Sequence, residues 1–546
     1  MTKPRSMSVR LLNLPFPAIG LAAFAVVAPF FWLGIPSGHD FQFHFNSWIE
    51  VLNHWKQGVL YPHWAVLAHY DYGEARFIFY PPISWTIGAG LGALLPWPLV
   101  PGAYIVIALV FCGCSMYLLA RSRLSRSQAL DAAIFYLANP YLLVIVYWRS
   151  AMAELLAAAY LPLLLLYLWR LEENGGRALA PLSWLLALGW LTNIPSAVIM
   201  NYSLAVIALT IAIRRRSPAT LVSAALAVFL GAALAAIYLV PAFHEQKWVN
   251  LAQVLAPGVR PLDNFLFTLT EDQDHNRFNR LISLVAITET IMVAAMLYLS
   301  RGLRRQELWR SMLLWSLLAI ALMFRPTLGL WNYLPELRFV QLPWRWLLCL
   351  NVPFALGLVV TFHRPLMRML IYAVAVTVLL IGWQRVQQPW WDSSADLREM
   401  VDNQHEGTGN EGTDEYVPAG ADPYDIDRNA PEARFQGNGS ARIKMDRWRA
   451  EKRLLAVDTT APGILVLRLF NYPLWKVKDN GQDLRTETRP HTGEMLIPLR
   501  GGENHIRIAF VNGWDRGLGA LISALAVVAI EVMRRRFRSA VPRAQP

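Results

Sequence analysis

Apolar runs of roughly twenty residues recur along this chain, each long enough to cross ~30 Å of hydrocarbon, and short polar connections separate them. That repetition leaves few folds. Backbone polar groups inside lipid must be satisfied within the protein, so a spanning segment is a helix or a strand of a closed barrel, and runs of this length are helical. Hydrophobic residues make up 55% of the 546 residues and charged residues 16%, as an α-helical polytopic membrane protein requires. The net charge of +12 does not point to nucleic acid. The basic residues cluster in short connections, Arg121-Ser122-Arg123, Arg214-Arg215-Arg216, Arg301 with Arg304-Arg305, and Arg534-Arg535-Arg536, which is the pattern of loops kept on the cytoplasmic side. The 3 cysteines, Cys112, Cys114 and Cys349, all lie in apolar runs, so neither a disulfide framework nor a zinc site is indicated.

Lys3, Arg5 and Arg10 precede the first apolar stretch, residues 18–35, and no small-residue cleavage site follows it. An uncleaved first helix with a cytoplasmic N-terminus is expected. Further segments are expected near 83–97, 102–120, 129–147, 151–169, 181–193, 197–213, 219–240, 282–300, 308–324, 346–362, 367–384 and 517–533, about 12–13 transmembrane or re-entrant segments in all. Strict alternation fails near the start, because it places Arg121–Arg126 outside while the later basic loops demand the reverse. One early segment therefore does not cross. Residues 129–147, broken by Asn139-Pro140, are the candidate for a re-entrant passage.

Residues 385–514 change character, with Gly and Asp in polar stretches and then alternating runs such as Gly463–Phe470 and His505–Val511, bounded by Asn480-Gly481 and Gly501-Gly502. These read as strands and turns of a small extracytoplasmic β-sandwich. The expected organisation is a multi-span catalytic domain over 1–384 with outer loops 36–82 and 241–280, the β-rich domain over 385–514, and a last helix and basic cytoplasmic tail over 515–546.

Ionisable residues gather at the outer ends of the spans. Asp40 follows the first span directly, and the loop after it holds His44, His54, His63, Asp71 and Glu74 before Phe79-Tyr80-Pro81-Pro82. Phe43, Phe45, Trp48 and Trp55 mix with polar residues at a spacing that fits an amphipathic helix lying in the membrane interface. Arg149 and Glu154 stand at the mouth of one span and Arg345 at another; a charge there must pair or face a cavity. A mutual Arg149–Glu154 ion pair is the plain alternative to a binding role. His244, Glu245 and Lys247 follow the span ending near Val240, where snorkelling accounts for them as well as ligand contact does.

Several motifs together carry a family resemblance: Gly38-His39-Asp40 with His44, Phe79-Tyr80-Pro81-Pro82, Tyr147-Trp148-Arg149-Ser150-Ala151-Met152-Ala153-Glu154, Thr192-Asn193-Ile194-Pro195-Ser196-Ala197, Gln341-Leu342-Pro343-Trp344-Arg345 and Asn471-Tyr472-Pro473-Leu474-Trp475. The chain resembles the GT-C glycosyltransferase superfamily, in the branch of 6-pyruvoyl-tetrahydropterin-synthase-related membrane proteins close to the YfhO-like group. That branch usually reads Arg-Gly where this chain has Arg149-Ser150, and Phe-Pro where it has Leu342-Pro343. The family name implies no pterin chemistry.

The resemblance implies an integral-membrane glycosyltransferase. It would move a sugar from a polyprenyl-phosphate-linked donor to a glycan, lipid or protein acceptor at the outer face of the inner membrane. Such a reaction removes a proton from the acceptor hydroxyl and stabilises an anionic leaving group. Asp40 is the candidate base and Glu74 the competing acid. Arg149 and Arg345 are candidates to grip the lipid phosphate through the guanidinium fork, with Glu154 orienting them and His39, His44, Tyr80 and His244 as further substrate contacts. A divalent metal, Mg or Mn, is the candidate cofactor, held by Asp40 and His44. Two other classes stay open, a transporter of a lipid-linked substrate and a non-catalytic glycan-binding or assembly protein. Convergence of Asp40, Arg149, Glu154 and Arg345 in one cavity favours the enzyme.

Overall fold

The computed structural model describes residues 15–386, 388–407 and 409–539. Nine helices among the described residues are long and apolar enough to cross a membrane, or up to 11 when the bent pairs Ala219–Leu234 with Ala236–Trp248 and Glu307–Leu322 with Arg325–Tyr333 are each one crossing. Leu179–Thr192, of 14 residues, packs among them as a shorter helix.

The early fault in alternation lies elsewhere than expected. Arg126–Arg149 is long and apolar enough to cross a membrane in spite of its break at Asn139. Asn139 caps its own break by accepting from the Tyr141 amide at 2.8 Å, and Pro140 follows at a first-turn position where no amide donor is needed. The segment that does not cross is Pro82–Leu94, a helix of only 13 residues. Helix Phe16–Val27 runs antiparallel to Val100–Arg121: a Cβ on Gly113 would lie 2.5 Å from Ile19 and one on Gly102 would lie 3.8 Å from Phe30. The chain therefore leaves the first span and enters Val100–Arg121 from the same face. All the short basic connections then share the opposite face.

A single cysteine at Ser440 and one at Arg304, both exposed positions, are accordingly expected to react with an impermeant thiol reagent from opposite sides of the membrane. Labelling of both from one side would contradict this arrangement.

Helix Phe41–Lys56 is not an interfacial anchor, since ten of its residues are buried, Trp48 and Glu50 among them. Trp48 stacks on Tyr104 at 5.0 Å and fills the space a Cβ on Gly88 would take. Its other side is covered from the far end of the chain, where Gln404 donates to Asn46 at 2.6 Å and the Ala450 amide to Gln57 at 2.9 Å.

The sandwich itself occupies 433–510, a shorter stretch than expected. One sheet has the order Ala433–Gly437, Gly463–Phe470, Glu494–Leu499, Glu487–Thr488; the other has Ala441–Arg449, Lys452–Thr459, Gly502–Phe510, Trp475–Asp479, Gln482–Leu484. Side chains alternate inward and outward along Lys452–Thr459, as a strand with one buried face demands. The Asn480-Gly481 turn joins paired Asp479 and Gln482 with positive φ at both central residues, the hairpin geometry that Asn-Gly favours. Residues 388–432 are not sandwich: they hold helix Ser394–His405, whose Leu397 and Val401 pack into the membrane-domain core. Trp64, Tyr72, Ile78 and Phe79 of the first outer loop share the sandwich core with Leu467, Phe470 and Trp475. The two domains thus fold around one another's residues.

Candidate active site

The site begins with an interlock of two backbone segments more than a hundred positions apart. The Asp40 amide donates to the Arg149 carbonyl at 2.9 Å and the His39 amide to the Trp148 carbonyl at 3.2 Å. Position 38 must be glycine, because a Cβ would sit 2.0 Å from the Trp148 carbonyl oxygen. Span Arg126–Arg149 ends in a π-helical turn, Ile145–Arg149, and Ser150 then takes a left-handed φ of 50°. Glycine adopts that conformation freely, whereas another residue is strained there by roughly 1–3 kcal/mol. Here a serine takes it, and its hydroxyl is put to use. Ser150 Oγ accepts from the Gly38 amide at 2.9 Å and donates to the Pro36 carbonyl at 2.8 Å.

This interlock places Asp40 beside Arg149 and starts a chain of charges. Arg149 Nη2 lies 3.4 Å from Asp40 Oδ2, its Nη1 pairs with Glu154, and Glu154 Oε2 also accepts from Arg345 Nε at 3.0 Å. Tyr141 donates to the other Glu154 oxygen at 2.7 Å, and Arg345 donates to the Val340 carbonyl at 2.8 Å and to Gln341 at 3.1 Å. The Arg149 guanidinium sits 4.9 Å over the Trp344 ring. The expected Arg149–Glu154 ion pair is therefore real, and it is one link of a larger network. Side-chain exposure falls from 39% at Asp40 to 3% at Arg149 and 1% at Glu154, so Asp40 is the member open to solvent.

A cavity of about 1490 Å³ takes these residues as its polar end, and His39, His44 and Tyr80 line it too. Burial pushes the His44 imidazole down to about 4 against the pull of Asp40, and burial lowers His39 as well. His44 is thus neutral at pH 7. Apolar groups from the helices, including Ile194, Val198, Leu239 and Phe243, line it as well.

Glu74 and His244 are not brought to the cavity. Glu74 is fully buried in a latch, bonded to Arg76 at 2.5 Å, to His69 at 2.9 Å and to the Thr413 amide at 2.7 Å. Burial alone would raise its carboxyl, but Arg76 and His69 outweigh it and hold the group at about 2. The His244 ring packs on Trp248 at 5.4 Å and Trp514 at 4.8 Å. Glu245 beside it bonds Tyr472 at 2.7 Å and Arg516 at 2.8 Å, tying the helix to the sandwich and the last span. Among the described residues no group of three or more His, Cys, Asp or Glu is placed to hold a metal ion. Asp40 and His44, the expected metal pair, both line the cavity.

Other residues of the region carried no signal in the sequence. Glu289, buried inside span Gln273–Leu299, accepts from the Tyr141 amide at 3.3 Å, and the Asn351 amide group, oriented to donate, reaches Glu289 at 3.2 Å and Asn139 at 2.9 Å. This trio packs the break at Asn139-Pro140 and so supports Tyr141 beneath Glu154. Glu415 and Tyr416, from the segment after span Pro365–Arg385, reach the cavity wall.

A family model described as a 6-pyruvoyl-tetrahydropterin synthase related domain of membrane proteins matches residues 77–388. Among curated proteins none matches. Among solved structures the chain is similar to the apo oligosaccharyltransferase of Archaeoglobus fulgidus, at 16% identity and a TM-score of 0.32. That likeness covers 73% of this chain and 56% of the archaeal one, so the chain spans little more than half the length of that protein.

Proposed function

The chain belongs to the 6-pyruvoyl-tetrahydropterin synthase related membrane proteins, and from that premise and its cavity we propose that it is a membrane glycosyltransferase using a polyprenyl-phosphate-linked sugar. The observation that carries the reading is a solvent-open carboxylate, Asp40, held beside buried Arg149 in a large cavity that apolar side chains also line. An amphiphilic donor suits such a cavity. Its phosphate would lie towards Arg149 and Arg345 and its lipid towards Ile194, Val198 and Phe243.

In the proposed step an acceptor hydroxyl oxygen bonds to the anomeric carbon while the bond from that carbon to the phosphate oxygen breaks. The electron pair leaves with the phosphate, and the hydroxyl proton passes to Asp40. Arg149 and Arg345 offset the charge that grows on the leaving oxygen, because preorganised cations in a site of low dielectric need little rearrangement as the bond breaks. The acceptor would be a glycan, lipid or protein on the cavity face, read as the outer face of the inner membrane because the basic connections lie opposite.

Arg149→Lys and Arg345→Lys keep the charge and lose the fork. Each is expected to weaken binding of a polyprenyl-phosphate sugar to the purified protein, read as a raised Kd in native mass spectrometry. Unchanged donor affinity in both variants would remove the phosphate role from these arginines.

A further inference from the structure

The cavity has a second wall of a different nature. On the Arg149 side each charge meets an opposite charge, and the four members Asp40, Arg149, Glu154 and Arg345 sum to zero. Phe43, His44, Tyr80, Glu415 and Tyr416 also line the cavity, without any Lys or Arg among them. Their rings are held firmly. Tyr416 stacks parallel on Phe79 at 6.1 Å, Phe43 meets Tyr80 edge-on at 4.7 Å, and His44 meets Tyr80 at 5.8 Å.

Most of their polar atoms, in contrast, are unused. Among the described residues the hydroxyls of Tyr80 and Tyr416 and the His44 ring nitrogens bond no other side chain or backbone group, and the Glu415 carboxyl accepts from its own backbone amide. Tyr416 is nonetheless only 8% exposed. The two hydroxyls and the His44 nitrogens are not sealed from solvent, so they stand open in the cavity to a ligand that supplies both donors and acceptors. Rings alternating with such groups match a neutral sugar, whose C–H faces pack on aromatics while its hydroxyls both give and accept hydrogen bonds.

We propose that Phe43, His44, Tyr80, Glu415 and Tyr416 form a carbohydrate subsite, with Glu415 and Tyr416 as specificity-determining residues delivered by the extramembrane segment. This rests on the glycosyltransferase reading and adds where the sugar, as distinct from the phosphate, is recognised. Burial raises the Glu415 carboxyl to about 7 and keeps both phenols protonated, so the wall presents donors as well as acceptors to a hydroxyl-rich ligand at neutral pH. The latch through Glu74 and Thr413 fixes the strand of chain that bears them, since Glu74 bonds both the amide and the hydroxyl of Thr413.

Saturation-transfer NMR on the full-length protein in detergent micelles tests this, with free D-glucose, D-galactose, D-mannose, N-acetyl-D-glucosamine and D-arabinose as probes. At least one sugar is expected to receive saturation. Tyr416→Phe and Glu415→Ala are expected to weaken that sugar about threefold to tenfold, the worth of one lost hydrogen bond, while native mass spectrometry shows polyprenyl phosphate bound as before. Tyr416→Phe keeps the ring on Phe79, so it decides the matter alone if Glu415→Ala does not fold. Absence of saturation in every sugar, or equal saturation in wild type and Tyr416→Phe, would overturn the subsite. Failure of the protein to transfer sugar from any donor would leave this binding result standing, which separates the two claims.

Discussion

Asp40→Asn is expected to lower sugar-transfer turnover by ~10²–10⁴-fold, the range of a positioned general base, with donor affinity nearly unchanged. Asp40 is the most exposed member of the charge network, at 39% side-chain exposure, and its backbone is fixed by the Arg149 carbonyl rather than by its own side chain. Removing the charge therefore leaves the interlock in place. The Asn side chain still accepts from Arg149, so a loss confined to kcat would identify proton removal. Full turnover in a variant that expresses normally would strip Asp40 of the role. Glu74 would not inherit it, since that carboxylate is sealed between Arg76, His69 and Thr413.

Glu154→Ala is expected to act on stability instead. Glu154 is 1% exposed and pairs with both Arg149 and Arg345, and its loss leaves two buried guanidinium groups without their shared carboxylate. Breaking a buried pair in this way costs ~3–5 kcal/mol. Thermal unfolding of the purified protein, followed by tryptophan fluorescence or by monodispersity after heating, should show a large drop in Tm. Glu154→Gln retains the Tyr141 contact and should fall between the two. A melting profile like wild type in Glu154→Ala would mean that the network is solvated and dispensable.

The parts of this site visible in the sequence were those that physics makes conspicuous. Asp40, Arg149, Glu154 and Arg345 stand at span ends, where charge is expensive unless paired or wet, and all of them line one cavity. The helical bundle and the alternating strands of 433–510 were equally legible, because periods near 3.6 and 2 survive in any context. What depended on tertiary partners was not. Residues 83–97 read as a span by hydropathy, yet the helix stops at Leu94 and Pro96 follows. Asn139-Pro140 looked like the stronger break because its buried companions, Glu289 and Asn351, lie far off in sequence. Glu74 looked like a loop acid, and nothing local reveals that Thr413 arrives to bond it. Glu415 and Tyr416 belong to no motif and are placed only by the latch.

The central claim is that sugar leaves a lipid phosphate in this cavity. Its most direct test is to give the protein, reconstituted in liposomes, polyprenyl-phosphate sugars doubly labelled in sugar and lipid, together with a mixture of membrane acceptors, and to follow both labels. The account predicts that the sugar label moves to an acceptor while free polyprenyl phosphate accumulates in equal amount, and that Asp40→Asn slows both by the same ~10²–10⁴-fold. Movement of the two labels together across the bilayer, with the donor intact, would contradict it and make the protein a transporter.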